Sequence, residues 1–414
     1  GFFSGAICNR IGVKWTLIIG TLGYAPYGAA LYTNAKFGNN WFPILGGLTC
    51  GISAVFLWTS SGAVNLVYPP VHQRGRAVAT KFALQNLGGF IGGLIAVGLN
   101  ATNAARGRVS DATFFGITSI MCLGLPAALT VPRHPQKVIR TDGSRVRPHK
   151  FLSWKEEIRG FTEIITRKEF LLLVPYFIYC QWDLSYMWAW NATYHTVRAR
   201  AVLSTCFYLV GPTIIGPIQG LLLDNPKWPR QNRSRLGVTS FFIVAVLTWI
   251  YGLIVQYQYS NRPVSAAIDI FDPIFAKSLL LFILYGLVEN SAMVVIYWLM
   301  GSLAFNPGQI ASIVGLCNAF GSLGSTAAFI IGAVNVDMKY QAWANMITLL
   351  VGTPGFLWVG WFSVKSDADI SLSTYGETAY LGDMENSDHA GETEDKNTPG
   401  VLEETIGFSN ASTN

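Results

Sequence analysis

The sequence predicts an all-α protein that threads a lipid bilayer about ten times, and three observations carry that expectation. Of its 414 residues 51% are hydrophobic and 13% charged, whereas an ordinary soluble domain carries about 25% charged residues. Apolar runs long enough to span a bilayer, about 20 residues each, recur along the chain. Lys and Arg gather in alternate loops between those runs, as they do in multi-pass proteins.

The runs fall at 16–33, 43–65, 79–99, 113–131, 169–190, 201–223, 237–258, 276–299, 309–332 and 341–363. Ahead of them, Gly1 to Cys8 is apolar but too short to span and begins without Met, so the chain is expected to continue upstream as a further helix. The loops 9–15, 69–81, 132–168, 224–236 and 300–308, with the tail, hold 21 Lys and Arg against 8 in the opposite set, which makes that first set cytosolic. Asn100-Ala-Thr102 and Asn191-Ala-Thr193 then fall outside, open to glycosylation, while Asn232-Arg-Ser234 and Asn410-Ala-Ser412 fall inside. The net charge of +6 sits between apolar runs rather than on one amphipathic face, so the partner it predicts is a lipid bilayer and not nucleic acid.

Two segments are not membrane. The basic loop 132–168 contains Ser153-Trp154-Lys155-Glu156, a capping-box form, followed by Ile158, Phe161, Ile164 and Ile165 at helical spacing. This predicts an amphipathic helix on the inner leaflet, or more simply a linker between two halves. From 364 the tail has eleven acidic residues against two basic ones, a composition that predicts disorder. The six cysteines lie singly in apolar stretches, against a disulfide framework or a zinc site. No phosphate loop and no H-E-x-x-H is present, so an enzyme, a metal site and a cofactor are all unexpected.

Transporter folds betray themselves by weak repetition between halves. Gly5-Ala-Ile-Cys-Asn9 and Gly220-Leu-Leu-Leu-Asp224 share a G-x-x-x-[N/D] frame at the end of a run, each leading into a short basic turn. The stretch from Gly5 through Asn9, Arg10, Gly12, Val13 and Lys14 resembles the G-x-x-x-D-R-x-G-[R]-[K] signature of the major facilitator superfamily, departing from it at Asn9 and Val13. Gly62 to Pro69, Gly75-Arg76 and Asn86-Leu-Gly-Gly89 are similar to the fourth and fifth helices of its Unc-type (uncoordinated, ninety-three) family. Ile139-Arg140-Thr-Asp-Gly143-Ser-Arg145-Val with Trp154-Lys155 resembles that family's central loop, and Tyr297-Trp298-Leu-Met-Gly301 its tenth helix. The resemblance implies a two-bundle major facilitator fold of twelve helices whose first is missing here. The domains expected are an incomplete bundle over 1–131, the basic loop 132–168, a six-helix bundle over 169–363 and the acidic tail 364–414.

An acid at mid-bilayer costs at least ~2.5 kcal/mol on insertion scales and marks a functional site by default. Asp183 and Glu289 stand near the centres of their runs, and the resemblance places both helices on a central cavity. They are expected to bind a cation or exchange protons, the simpler alternative being hydrogen bonds that only fix packing. Trp182 and Tyr186 flank Asp183 and could stack on a ring or a cation, while Trp188, Trp190 and Tyr194 read as an interfacial belt. Asn290, Ser61 and Asn65 complete the polar set, although in membranes such groups more often bridge helices. The run 43–65 carries no Arg, against the pattern of many proton-coupled antiporters in the superfamily. Gly88, Gly89, Gly92 and Gly93 form two interleaved GxxxG pairs that predict close helix contact. Two functions follow: secondary transport of a small solute by alternating access, or a non-transporting regulator or escort of another membrane protein such as an ion channel or receptor.

Overall fold

A chain in lipid must satisfy its own backbone N–H and C=O groups, so apolar runs of this length fold as helices. The computed structural model describes residues 2–102, 107, 109–131, 138–140, 143, 154–261, 267–303 and 307–366. In order they form α1 (Ser4–Ile11), α2 (Val13–Leu22), α3 (Tyr24–Phe37), α4 (Trp41–Val67), α5 (Arg74–Asn100), α6 (Asp111–Cys122), α7 (Gly124–Thr130) and α8 (Trp154–Ile165). There follow α9 (Lys168–Tyr179), α10 (Asp183–Tyr194), α11 (Val197–Val210), α12 (Gly216–Leu223), α13 (Arg230–Ser260), α14 (Phe275–Ser302), α15 (Pro307–Ala333) and α16 (Met338–Phe362). The tail from 367, Ser153 of the capping box and most of the loop 132–153 lie outside the described residues.

Eight helical stretches in the described residues are long and apolar enough to cross a bilayer: α4, α5, α6 with α7, α11 with α12, α13, α14, α15 and α16. The expected runs 16–33 and 169–190 are not continuous helices. Hydropathy counts apolar residues and is blind to what interrupts their hydrogen-bond ladder. At Gly23 the interrupter is Ser53 of α4, whose hydroxyl accepts from the Gly23 N–H at 2.9 Å and donates to the Ile19 carbonyl at 2.9 Å. A Cβ at Gly23 would lie 2.5 Å from that hydroxyl, so glycine is what lets α4 approach. The second break, over Cys180 to Trp182, separates α9 from α10 where Gly321 of α15 packs against Gln181.

The expected loop 69–81 is shorter than its composition suggested. Helix α5 starts at Arg74, so Lys81, counted with the loop, stands two turns inside a spanning helix. Helix α8 forms where the amphipathic pattern placed it, with Ile164 fully buried, Ile158 exposed, and Glu163 accepting from Gln309 of α15 at 3.3 Å.

The repeat between halves shows in the packing. Helix α1 lies on α15 as α12 lies on α5. Gly5 backs onto the main chain of Ser312, and a Cβ at Gly220 would come within 3.2 Å of Ala79. Helices α5 and α11 pack through Gly93 against Thr205 and Gly89 against Tyr208, whereas Gly88 and Gly92 meet no neighbour within 4 Å. Among the described residues only one of the two GxxxG pairs is therefore an interface, because a helix turns its two glycine faces in different directions.

The largest fully buried side chains come from α9, α10, α13 and α14, among them Tyr176, Trp190, Trp249 and Phe282. Trp190 does not belong to an interfacial belt. It is 1% exposed and stacks on Tyr259 and Phe282, with ring centroids 5.2 and 5.9 Å away. His195, in the turn after α10, is also fully buried, its Nε2 2.8 Å from the Ser278 hydroxyl.

Candidate functional site

The break after α9 puts Asp183 in the first turn of α10, where the half-helix N-terminus favours a negative charge. Asp183 is buried, its carboxylate is within reach of the N–H groups of its own residue and Leu184, and its Oδ1 has no hydrogen-bond partner among the described residues. Glu289 of α14 is half-buried and lies within electrostatic range of Asp183 and Cys180. Tyr176 and Tyr179 of α9 and Tyr208 of α11 also feel the Glu289 charge. Two helices, α9 and α11, thus bring tyrosines within electrostatic range of Glu289, and among the described residues neither acid has an ion-pair partner.

Beside them Asn290 donates to the Gly286 carbonyl at 2.7 Å and accepts a short hydrogen bond from Asn86 of α5, which itself donates to the Phe82 carbonyl at 2.8 Å. Gly211 makes room for this pair, since a Cβ there would sit 2.7 Å from the Asn290 Oδ1. Gly211 opens a π-helical turn, Gly211–Ile215, between α11 and α12. Turns of this kind often mark functional positions in helices.

The other polar residues expected at the site are committed elsewhere. The Tyr186 hydroxyl donates to Gln256 at 2.8 Å. Trp182 and Tyr186 line a cavity of about 10 Å³, shared with Gln341 and Asn345, which is barely room for one water. Ser61 donates to the Trp58 carbonyl at 3.3 Å and Asn65 to the Ser61 carbonyl at 2.7 Å, both within α4. They are not brought to the acids by any of these contacts.

The signature residues lie at the ends of helices. Gly12 joins α1 to α2 with φ +83°, a left-handed conformation that favours glycine. Lys14 donates to the Leu129 carbonyl at 2.7 Å, in the last turn of α7, and Asn9 and Arg10 occupy the last turn of α1. Asp224, just after α12, accepts from the backbone N–H of Gly75 at 2.8 Å and of Arg76 at 2.6 Å, so it caps α5 across the two halves. Burial pushes its carboxyl up, while those two N–H groups pull the other way. A Cβ at Gly75 would lie 2.5 Å from the Asp224 Oδ1. Around the same junction Arg74 donates to the Gly301 carbonyl at 2.9 Å and Arg140 to the Tyr68 carbonyl at 2.8 Å.

Two further residues stand out that sequence reasoning passed over. Asn86 joins the halves next to Glu289, and Lys81 buries its ammonium among aromatic rings. The available signal was a lone amide and a lone base within an apolar run.

The model of the Major Facilitator Superfamily matches residues 1–329. The chain belongs to that superfamily. An UNC93-like protein of Schizosaccharomyces pombe is 29% identical over 86% of this chain and 72% of its own length. UNC93-like protein 1 of Arabidopsis thaliana is 28% identical over 89% of this chain and 81% of its own length. Among solved structures, the superfamily proton:xylose symporter XylE superposes with a TM-score of 0.60 at 13% identity, covering 88% of this chain and 83% of that one. The Escherichia coli fucose:proton symporter FucP gives 0.54 at 11%, covering 88% and 87%. At these identities the two symporters share the major facilitator fold with this chain, and the likeness extends no further.

Proposed function

We propose that this chain, a transporter-like membrane protein of the major facilitator superfamily, is a secondary transporter working by alternating access, with Asp183 and Glu289 as the groups that take a proton or the cationic part of a small solute. The observation that carries this reading is two acids on different helices, within electrostatic range of each other and with no basic partner among the described residues. Such charges in an apolar interior are balanced by a proton or a bound cation. Counting α2 with α3 and α9 with α10 as single crossings gives ten spans and the α1 stub, with the central loop and tail cytosolic. Asp224 on α5 then closes the cytosolic side, the state expected when a carrier opens outward.

The full-length protein in sealed vesicles tests this against a panel of small solutes. Asp183→Asn and Glu289→Gln are expected to abolish uptake while leaving folding and surface delivery intact. Wild-type uptake in both variants would sink the proposal. The cavity of about 10 Å³ beside Trp182 favours a second reading, a non-transporting regulator or escort of another membrane protein. In that case no solute moves and both variants still assemble with the partner.

A further inference from the structure

Glu289 is followed on α14 by two residues that each hold a different helix. Asn290 accepts from the Asn86 amide of α5, and the Ser291 hydroxyl accepts from the Gln219 amide of α12. Helices α12 and α5 are themselves joined where Asp224 accepts from the Gly75 and Arg76 N–H groups. An acid and two tethers, consecutive along α14, therefore reach both sides of the seam at Asp224.

The first tether is anchored at both ends. Asn86 also donates to the Phe82 carbonyl at 2.8 Å and Asn290 to the Gly286 carbonyl at 2.7 Å, so the amide pair joins two helices rather than two loose side chains. Asn86 is 6% exposed and Asn290 2%, near the middles of α5 and α14. Asn86 lies on the packed flank of α5, in one stripe with Gly89 and Gly93, which meet Tyr208 and Thr205 of α11, while Leu84, Leu87 and Ile91 are exposed on another. The packing leaves little slack. A Cβ at Gly286 would come 2.5 Å from the Phe207 carbonyl oxygen, and one at Gly211 would come 2.8 Å from the Asn86 Cβ. In a water-free interior a broken amide hydrogen bond has no solvent to replace it. A rotation of α14 that re-aims Glu289 carries Asn290 and Ser291 with it and breaks both tethers.

We propose that Asn86 and Gln219 are positioning residues that couple Glu289 to the Asp224 seam. An ionised Glu289 draws α14 toward water or a counter-cation, which strains the tethers and opens the seam, whereas a neutral Glu289 lets it close. The part given to Glu289 rests on the transport reading above; the tethers and the seam do not.

Hydrogen exchange of the whole chain in nanodiscs, followed by mass spectrometry, tests this without any solute. The readout is the peptide that spans Gly75 and Arg76, whose N–H groups Asp224 holds. Asn86→Leu is expected to speed its exchange about 3- to 30-fold, the range set by one interhelical hydrogen bond in a membrane, with peptides of α13 and α16 unchanged. Gln219→Leu should act in the same direction. Asn86→Ser, whose hydroxyl returns to the Phe82 carbonyl and stops short of Asn290, gives the same result should the leucine variant fail to fold. Glu289→Gln should slow the exchange at pH 8, and beside Asn86→Leu it should have no effect, which a tether that only packs helices would not produce. Wild-type exchange in Asn86→Leu and Asn86→Ser, or a rise spread equally over α13 and α16, overturns the tether. Glu289→Gln that changes nothing by itself, or that acts fully beside Asn86→Leu, overturns the coupling. Loss of uptake in Glu289→Gln is a separate measurement, so the transport reading stands or falls apart from this result.

Discussion

Helices α5 and α15 hold equivalent places in the two halves, yet 17% of the apolar window of α5 is buried against 56% of that of α15. Each takes a short helix of the opposite half on one flank, α12 on α5 and α1 on α15. On its other flank α15 is covered by α9 and α10, whereas α5 leaves Leu84, Leu87, Ile91 and Leu94 exposed. The apolar patterns of the two helices are alike, so burial here is decided by neighbours and not by composition. In a membrane lipid can cover an apolar face, and helix association depends on packing and hydrogen bonds. Among the described residues, the neighbours α9 and α10 that bury α15 come from the second half itself.

Core truncation would break this comparison most directly. Phe282→Ala, in the second half, is expected to cost ~3–5 kcal/mol in denaturant unfolding from detergent. Leu84→Ala, on the bare flank of α5, is expected to cost under ~0.5 kcal/mol. Equal losses would mean that the two halves are packed alike.

The next contrast lies within α5. A Cβ at Gly93 would come 3.0 Å from the Thr205 Cα, while one at Gly92 would meet nothing. Gly93→Ala should cost ~1–3 kcal/mol by overpacking, and Gly92→Ala should gain ~0.5–1 kcal/mol from helix propensity. Melting temperatures of the two variants check it.

The smallest effect separates the ends of the halves that lie away from Asp224. In the second half, Arg198 forms a two-point pair with Asp269, its Nε 2.7 Å from one carboxylate oxygen, and Thr196 donates to the same oxygen at 2.7 Å. The Arg198 hydrogen bond, followed by that of Thr196, holds the Asp269 carboxyl down at about 2. Because this lies below the ordinary value of about 3.9, the contribution of the pair is complete above that value. It is lost as pH falls from about 4 through about 2. A melting temperature that drops across this window in the wild type and not in Asp269→Asn confirms it. The first-half pair, Lys36 with Asp111 at 3.5 Å, is about 40% exposed on both sides, and Lys36→Met should cost under ~1 kcal/mol.

The helices were legible in the sequence because the length of an apolar run is a local property. The interruptions were not, since Ser53 breaks the chain at Gly23 from a different helix. Asp183 and Glu289 were legible as misplaced acids, but that each lies within electrostatic range of the other depends on the tertiary arrangement of α10 and α14. Lys81 was lost because a base just inside an apolar run looks like the end of a loop. The Trp190 ring, taken for part of a belt, shows the same gap: aromatic residues serve interfaces and cores equally well, and only the neighbours Tyr259 and Phe282 distinguish the two.

The π-helical turn Gly211–Ile215 has a reach beyond its own length. It takes in one residue more than an α-helical turn would, so the segment after it is rotated by about 100° relative to an uninterrupted helix. Gly220 and Asp224 both lie downstream and both face α5. The address at which the second half grips the first is thus written near Asn86 and Asn290, and a single-residue deletion in that turn would send the carboxylate of Asp224 to another face.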